Sequence, residues 1–269
     1  MNLKLFDLAL LLYLTSTVLW LFSLKREGFG RIAYFLFFGG FVALLLGMLV
    51  RWWETHLLGF PYPPLANMYE SLVFFSWVLS LFYLFFFSRK YKGRLFGLLS
   101  SLFCSSLLLI PLLVGMDRSP KPLVPALQSF WLYIHVITCF LGYGALGIGF
   151  LLSLIYLFGE KKGSKFWPSE EILEEGTYKS IVVGFLFLTL GIITGAAWAH
   201  YAWGRYWAWD PKETWSLITW LIYAGWLHAR LMRGWRGKRM AILSIIGFAS
   251  VIFTYVGVNY LLSGLHSYG

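Results

Sequence analysis

Between Trp198 and Trp215 the chain reads Trp-Ala-His-Tyr-Ala-Trp-Gly-Arg-Tyr-Trp-Ala-Trp-Asp-Pro-Lys-Glu-Thr-Trp, with five Trp and two Tyr in 18 residues. Rings at this density suit a flat, apolar, polarisable ligand, gripped by stacking and edge contacts. Gly204, Asp210 and Pro211 punctuate the run as a turn, which an interfacial belt of Trp and Tyr does not require. Arg205 and Lys212 add cations able to pair with carboxylates on the ligand's rim. A porphyrin meets both demands. Its iron takes axial nitrogen ligands, most often from histidine, and five are available: His56, His135, His200, His228 and His266.

Lipid dictates the elements that position these residues. The chain has 269 residues, 59% hydrophobic and 13% charged, with a mean hydropathy of +0.71. A soluble domain of this length cannot bury so much apolar side chain. About 20 apolar residues cross the hydrocarbon core, and they must be helical to satisfy their own backbone groups. The sequence therefore predicts an all-α integral membrane protein, a bundle of about eight transmembrane helices over 3–24, 32–50, 71–88, 95–115, 131–158, 180–199, 214–231 and 241–262. These form one polytopic domain over 1–269, with 200–213 as an external tryptophan-rich loop.

Alternate connections hold 16 of the 22 Lys and Arg, and the other set holds 6. Cationic loops stay inside, so both termini lie on the outer, non-cytoplasmic side. The formal charge of +10 is then topology, and it lacks the soluble basic stripe of a nucleic-acid binder. Glu170, Glu171, Glu174 and Glu175 fall in the inner connection 159–179, read as a solvated surface segment without chemistry. Cys104 and Cys139 sit in apolar segments without a Cys-x-x-Cys spacing, which excludes a thiol oxidoreductase or a c-type cytochrome. The first segment reads as a full span rather than a cleaved leader.

Against these spans, His135 lies about one turn into the outer end of the fifth, and His266 just past the outer end of the eighth. Both share the level of the tryptophan-rich stretch. A lone histidine at a helix end is ordinarily a snorkelling or capping residue, but two converging on one aromatic loop reverse that reading. His228 lies 14 residues from Thr214, roughly 21 Å along a helix, in the inner half of the membrane. Ionisable groups there are costly and usually functional. Ala224 and Gly225 leave room beneath its ring for a large planar group. His56 and His200 read as polar interfacial residues, with His200 placed to line a pocket. Asn67-x-x-Glu70 has capping-box spacing, Asp210-Pro211 starts the seventh span, and Gly142, Gly144, Ala145, Gly147 and Gly149 give the fifth a face for close helix packing.

The run Trp203-Gly204-x-x-Trp207-x-Trp209-Asp210 resembles the "WWD" signature of haem-handling membrane proteins. Three further stretches resemble the CcsA (ResC) branch of System II cytochrome c biogenesis: Asp210-Pro-Lys-Glu-Thr-Trp215, Gly234-Trp-Arg-Gly-Lys-Arg239 and Gly264-Leu-His266-Ser-Tyr-Gly269. Asn67-Met-Tyr-Glu70-Ser-Leu matches that branch as well. The resemblance is dense from about residue 180 onward, sparse from 50 to 180 and weak before that. His200 stands where such proteins often carry a non-histidine such as Asn.

The resemblance implies haem (protohaem b) as the bound group. It places Trp203, Gly204, Arg205, Trp207, Trp209, Asp210 and Trp215 in the haem-binding loop. His135 and His266 become the external iron ligands, and His228 the transmembrane one. It also implies a CcsB (ResB) partner that completes the His228 site and an apocytochrome c whose Cys-x-x-Cys-His thiols receive the haem, the two subunits acting as a cytochrome c synthase (haem lyase). The membrane would be a bacterial inner membrane or a thylakoid. Rival readings are a haem transporter or chaperone without synthase activity, a b-type electron-transfer subunit, which would require a histidine facing His228 at matched depth, and an assembly factor that binds no haem.

Overall fold

A heptad of aromatic knobs opens the chain. In a computed structural model that describes residues 1–26, 28–60, 62–88, 93–123, 128–159 and 168–262, helix α1 (Asn2–Ser23) buries Phe6, Tyr13 and Trp20 along one stripe. Each ring fills a notch left by glycine on a neighbour. Phe6 lies over Gly47 and Tyr13 over Gly40, both on α2 (Phe29–Leu57), while Trp20 lies over Gly97 on α4 (Arg94–Leu113). Side chains seven residues apart on a helix share a face, so the spacing locks α1 and α2 antiparallel. After α2, helix α3 (Met68–Leu81) starts at Asn67, whose side chain accepts from the Glu70 N–H at 2.9 Å, as its capping spacing predicts. A π-helical segment, Phe82–Phe87, follows it. These four helices belong to one compact unit, Met1–Leu123 with Glu160–Pro168.

Capping does not exhaust the role of Glu70. Its carboxylate accepts from Arg51 Nε at 2.8 Å and from the Ala66 N–H at 2.8 Å. Arg51 also donates to Asn2 Oδ1 and to the Arg118 carbonyl. The ion pair is almost fully buried, with side chains 1% and 4% exposed.

A second unit comprises Val124–Gly159 and Ser169–Gly269. Helices α5 (Phe130–Phe158) and α6 (Glu170–Trp203) run antiparallel at close range. A Cβ at Gly142 would stand 3.0 Å from the Leu188 backbone nitrogen, and one at Gly149 would stand 3.0 Å from Ser180 Oγ. The small-residue face read from the sequence is thus a packing face. Glycines on α6 complete it, for Gly184 faces Leu146, Gly191 faces Cys139 and Gly195 faces His135. One register runs the length of the pair.

Helix α7 (Pro211–Met232) packs on α8 (Lys238–Ile252) through Tyr223 over Gly247, Trp226 Nε1 donating to the Met240 carbonyl, and a hydroxyl cluster of Thr219, Ser250 and Thr254. After α8 the chain takes a π-helical turn, Phe253–Gly257, and a last helical turn, α9 (Val258–Leu261).

All regular structure among the described residues is helical. Seven of the described helices, including the continuous Met68–Phe86 and Lys238–Leu261, are long and apolar enough to cross a membrane, which makes this an integral membrane protein. Helix α7, expected to be another span, falls outside that set. Lys212, Glu213, Ser216, Thr219, His228 and Arg230 lower its hydropathy.

The connection over 159–179 differs from its expected form. Helix α6 begins ten residues before the predicted span, with Ser169 as its N-cap and Glu170 and Glu171 in the first turn, where the helix dipole favours anions. Glu174 is no solvated residue: it pairs with Arg230 at 3.0 Å and accepts the Gly237 N–H at 2.8 Å. Glu175 is half-exposed and pairs along its own helix with Lys179 at 2.6 Å, as a surface residue would.

Candidate functional site

His135 is held from three sides. Its Nδ1 lies 2.8 Å from the Gly191 carbonyl oxygen. A carbonyl can only accept, so Nδ1 carries the proton and Nε2 is the basic nitrogen of the ring. The imidazole stacks on Trp198, with centroids 5.7 Å apart and planes at 26°. Its third wall is Gly195, where a Cβ would stand 2.7 Å from both Cε1 and Nδ1. Histidines that bind metals are commonly oriented in the same way, with a backbone carbonyl fixing tautomer and ring orientation.

Gly195→Ala is expected to leave the fold almost intact, because a side-chain ring can rotate away where backbone could not. It would displace the imidazole from Gly191, and loss of such an orienting bond weakens metal binding by about 10–100-fold. Unfolding temperature and iron-ligand affinity, measured side by side, check both halves of this expectation.

From Trp198 the aromatic chain continues toward the C-terminal end of α6. Trp198 packs on Trp203 at 5.6 Å, in the last turn of α6. Gly204 then ends the helix in the left-handed region, φ +74°, where glycine has no steric penalty. Residues 200–203 and 211–213 are therefore helical, and the irregular stretch is 204–210. Within it Trp207 and Trp209 meet edge to face at 5.7 Å and 88°. Trp209 is 68% exposed and has φ +58°, the only positive φ outside glycine among the described residues. A bulky side chain there costs about 1–2 kcal/mol.

The next residues fix that conformation. Asp210 is buried and caps α7, its carboxylate accepting from the Lys212 N–H at 3.0 Å. Glu213 closes the capping box: one of its oxygens, Oε2, accepts from the N–H groups of Ala208 at 2.7 Å and Asp210 at 3.2 Å, on either side of Trp209. Sequence reasoning singled out Asp210 and passed over Glu213. The Asp-x-x-Glu spacing at a helix start was the signal that could have found it.

Lys212 reaches α9, donating to Asn259 Oδ1 at 2.7 Å. Burial of its ammonium pulls its pKa down to about 8. Trp215 lies against Phe253 in the π-helical turn, with centroids 4.3 Å apart. Arg205 is exposed at the tip.

Three other histidines lie among the described residues. His228 lies 17 residues along α7 from Pro211, about 26 Å at 1.5 Å per residue. Its side chain is exposed, and nothing stands within 4 Å of a Cβ built at Gly225. His200 stacks on Tyr206 at 4.2 Å and 8°. His56 is exposed in the last turn of α2, where a cation suits the helix dipole. His266 lies outside the described residues, which end at Leu262.

The family model described as "Cytochrome C assembly protein" matches residues 65–266. The chain is 44% identical over 236 residues to the cytochrome c biogenesis protein CcsA of Chlamydomonas reinhardtii. The chain belongs to the CcsA family. That match covers 84% of this chain and 65% of the Chlamydomonas protein, just under two thirds of it. The CcsA of Trieres chinensis is 42% identical over 246 residues, covering 77% of this chain and 78% of its own. That of Prochlorococcus marinus (strain NATL1A) is 41% identical over 263 residues, covering 82% and 80%. Within the CcsA match fall both the His135 pocket and the 204–210 turn.

Proposed function

We propose that this protein carries haem to the non-cytoplasmic face of its membrane and presents it there for covalent attachment to an apocytochrome c. The observation that carries the reading is the His135 pocket. Nδ1–H is committed to the Gly191 carbonyl, so Nε2 is prepared as an iron ligand, beside a tryptophan wall formed by Trp198 and Trp203.

In this reading α7 is the eighth span, over about 214–231, and both termini face outward. The membrane is a bacterial inner membrane or a thylakoid. His135 and His266 hold the iron, and Trp203, Gly204, Arg205, Trp207, Trp209, Asp210 and Trp215 build the seat. The tie between Lys212 and Asn259 supports the pairing, because it anchors the end of the last helix beside the loop. From Leu262 a chain of four residues reaches at most about 14 Å.

Arg205 and Lys212 supply cations for the carboxylates. With no ligand bound, Lys212 has a pKa of about 8, so it is mostly charged at neutral pH, and a carboxylate paired with it would hold that charge to higher pH. His228 is the receiving ligand within the membrane. Its exposed ring and the open space at Gly225 suit a planar group shared with a CcsB-type partner subunit.

When bound, haem supplies two vinyl groups across which cysteine thiols add, each forming one C–S bond while the thiol hydrogen goes to the neighbouring carbon. The residues of this chain contribute orientation. Holding reactants in near-attack geometry is worth up to roughly 7–11 kcal/mol.

Co-expression of this protein with and without a CcsB-type subunit, with a reporter apocytochrome, tests the reading. The expected result is a low-spin haem spectrum in the purified protein and covalent reporter haem when the partner is present. Haem bound but never attached, in any combination, would leave transport as the function. A colourless protein that still supports the reporter would discard the haem site altogether.

A further inference from the structure

Glu213 does more than cap a helix. Its Oε2 takes the N–H groups of residues 208 and 210, and the residue between them is the one non-glycine with positive φ among those described. Thr214 Oγ1 reaches the Trp209 carbonyl at 3.4 Å from the same turn. The exposed indole so fixed stands perpendicular to that of Trp207.

We infer that Glu213 is a positioning residue for the ligand seat. By bridging the amides of Ala208 and Asp210, it holds Trp209 in the left-handed region and sets the right-angled indole pair against which a flat macrocycle rests. This rests on the reading of the loop as a haem seat.

The chemistry distinguishes its substitutions. Both N–H groups converge on one oxygen, so a glutamine carbonyl can receive both, and Gln serves equally at this capping position. Alanine receives neither. Released from the clamp, Trp209 relaxes toward negative φ and its indole swings away from Trp207.

Two measurements on the purified full-length protein test this. The first needs no haem: amide hydrogen exchange at Ala208 and Asp210 in protein stripped of ligand. Glu213→Ala is expected to speed it by about tenfold or more, and Glu213→Gln to leave it near wild type. Unchanged exchange in Glu213→Ala overturns the clamp.

The second is the rate of haem transfer to added apomyoglobin from wild type, Glu213→Ala, Trp209→Ala and the double variant. Each single change is expected to speed loss by about tenfold, and the double change no further, because Glu213 acts through Trp209. A double variant near hundredfold would mean that Glu213 acts independently of Trp209, and would overturn the assignment, as would wild-type retention in Glu213→Ala. Absence of haem from the wild-type protein would refute the haem reading itself, and with it the seat, whereas wild-type haem unaffected by Glu213→Ala refutes the positioning role alone.

Discussion

If the proposed haem site is correct, His135→Ala is expected to strip it of haem and to abolish reporter cytochrome c assembly. Three constraints meet on this ring: the 2.8 Å bond to Gly191, the stack on Trp198 and the notch at Gly195. None is needed for a residue that merely snorkels, and together they fix the ring on which the proposed haem site depends. Removing a partner that only orients a metal ligand weakens binding about 10–100-fold, so removing the ligand itself should sit at or beyond the upper end of that range. His56→Ala and His200→Ala serve as controls. One side chain is exposed at the end of α2 and the other is engaged with Tyr206, and neither should change the spectrum. A His135→Ala protein that keeps its haem, with the same absorption bands and a fully matured reporter, would remove the pocket from the mechanism.

Glu70→Ala is expected to produce the largest loss of stability. Arg51 is 1% exposed, and Glu70 supplies its carboxylate partner. The Asn2 and Arg118 oxygens that remain to Arg51 carry no charge. Breaking such a pair from one side strands a buried cation at a cost of about 3–5 kcal/mol. For a protein of this size that lowers the unfolding temperature by about 6–20 °C. The paired change Arg51→Met with Glu70→Leu should recover most of the loss, because it removes both desolvated charges. Thermal unfolding in detergent reads both variants. A single variant that melts with wild type would show that the pair contributes nothing.

Much of this architecture is legible in composition and spacing. The fifth predicted span, 131–158, lies within one residue of α5, Phe130–Phe158, because an apolar stretch bounded by a capping Ser129 leaves few alternatives. The Asn67 cap was equally readable. What the sequence concealed is pairing across distance. Arg51 stands just past the second predicted span, 32–50, yet α2 continues to Leu57 and buries it against Glu70. Glu174 looked like part of a solvated acidic run, and only the fold brings Arg230 and Gly237 to it.

The site shows the same division. His135 and the indoles stood out by type, because few folds concentrate such residues without using them. Gly191 and Gly195 did not stand out, since a glycine in an apolar helix has many reasons to be there. Their meaning comes from the register of α5 against α6, which sets each glycine opposite a particular side chain. Trp209 carries no mark in the sequence of its unusual backbone, for strain of that kind is imposed by its neighbours.

Helix α6 has 34 residues, a rod of about 51 Å, while the oil of a bilayer is only about 30 Å thick. Leaning by as much as 40°, near the limit for membrane helices, it would still overshoot the oil by about 9 Å. Its far tip ends in Trp203, so part of that excess length can lift the aromatic turn clear of the acyl chains. In the proposed orientation, a water-soluble polypeptide could then dock on the indoles without dipping into lipid.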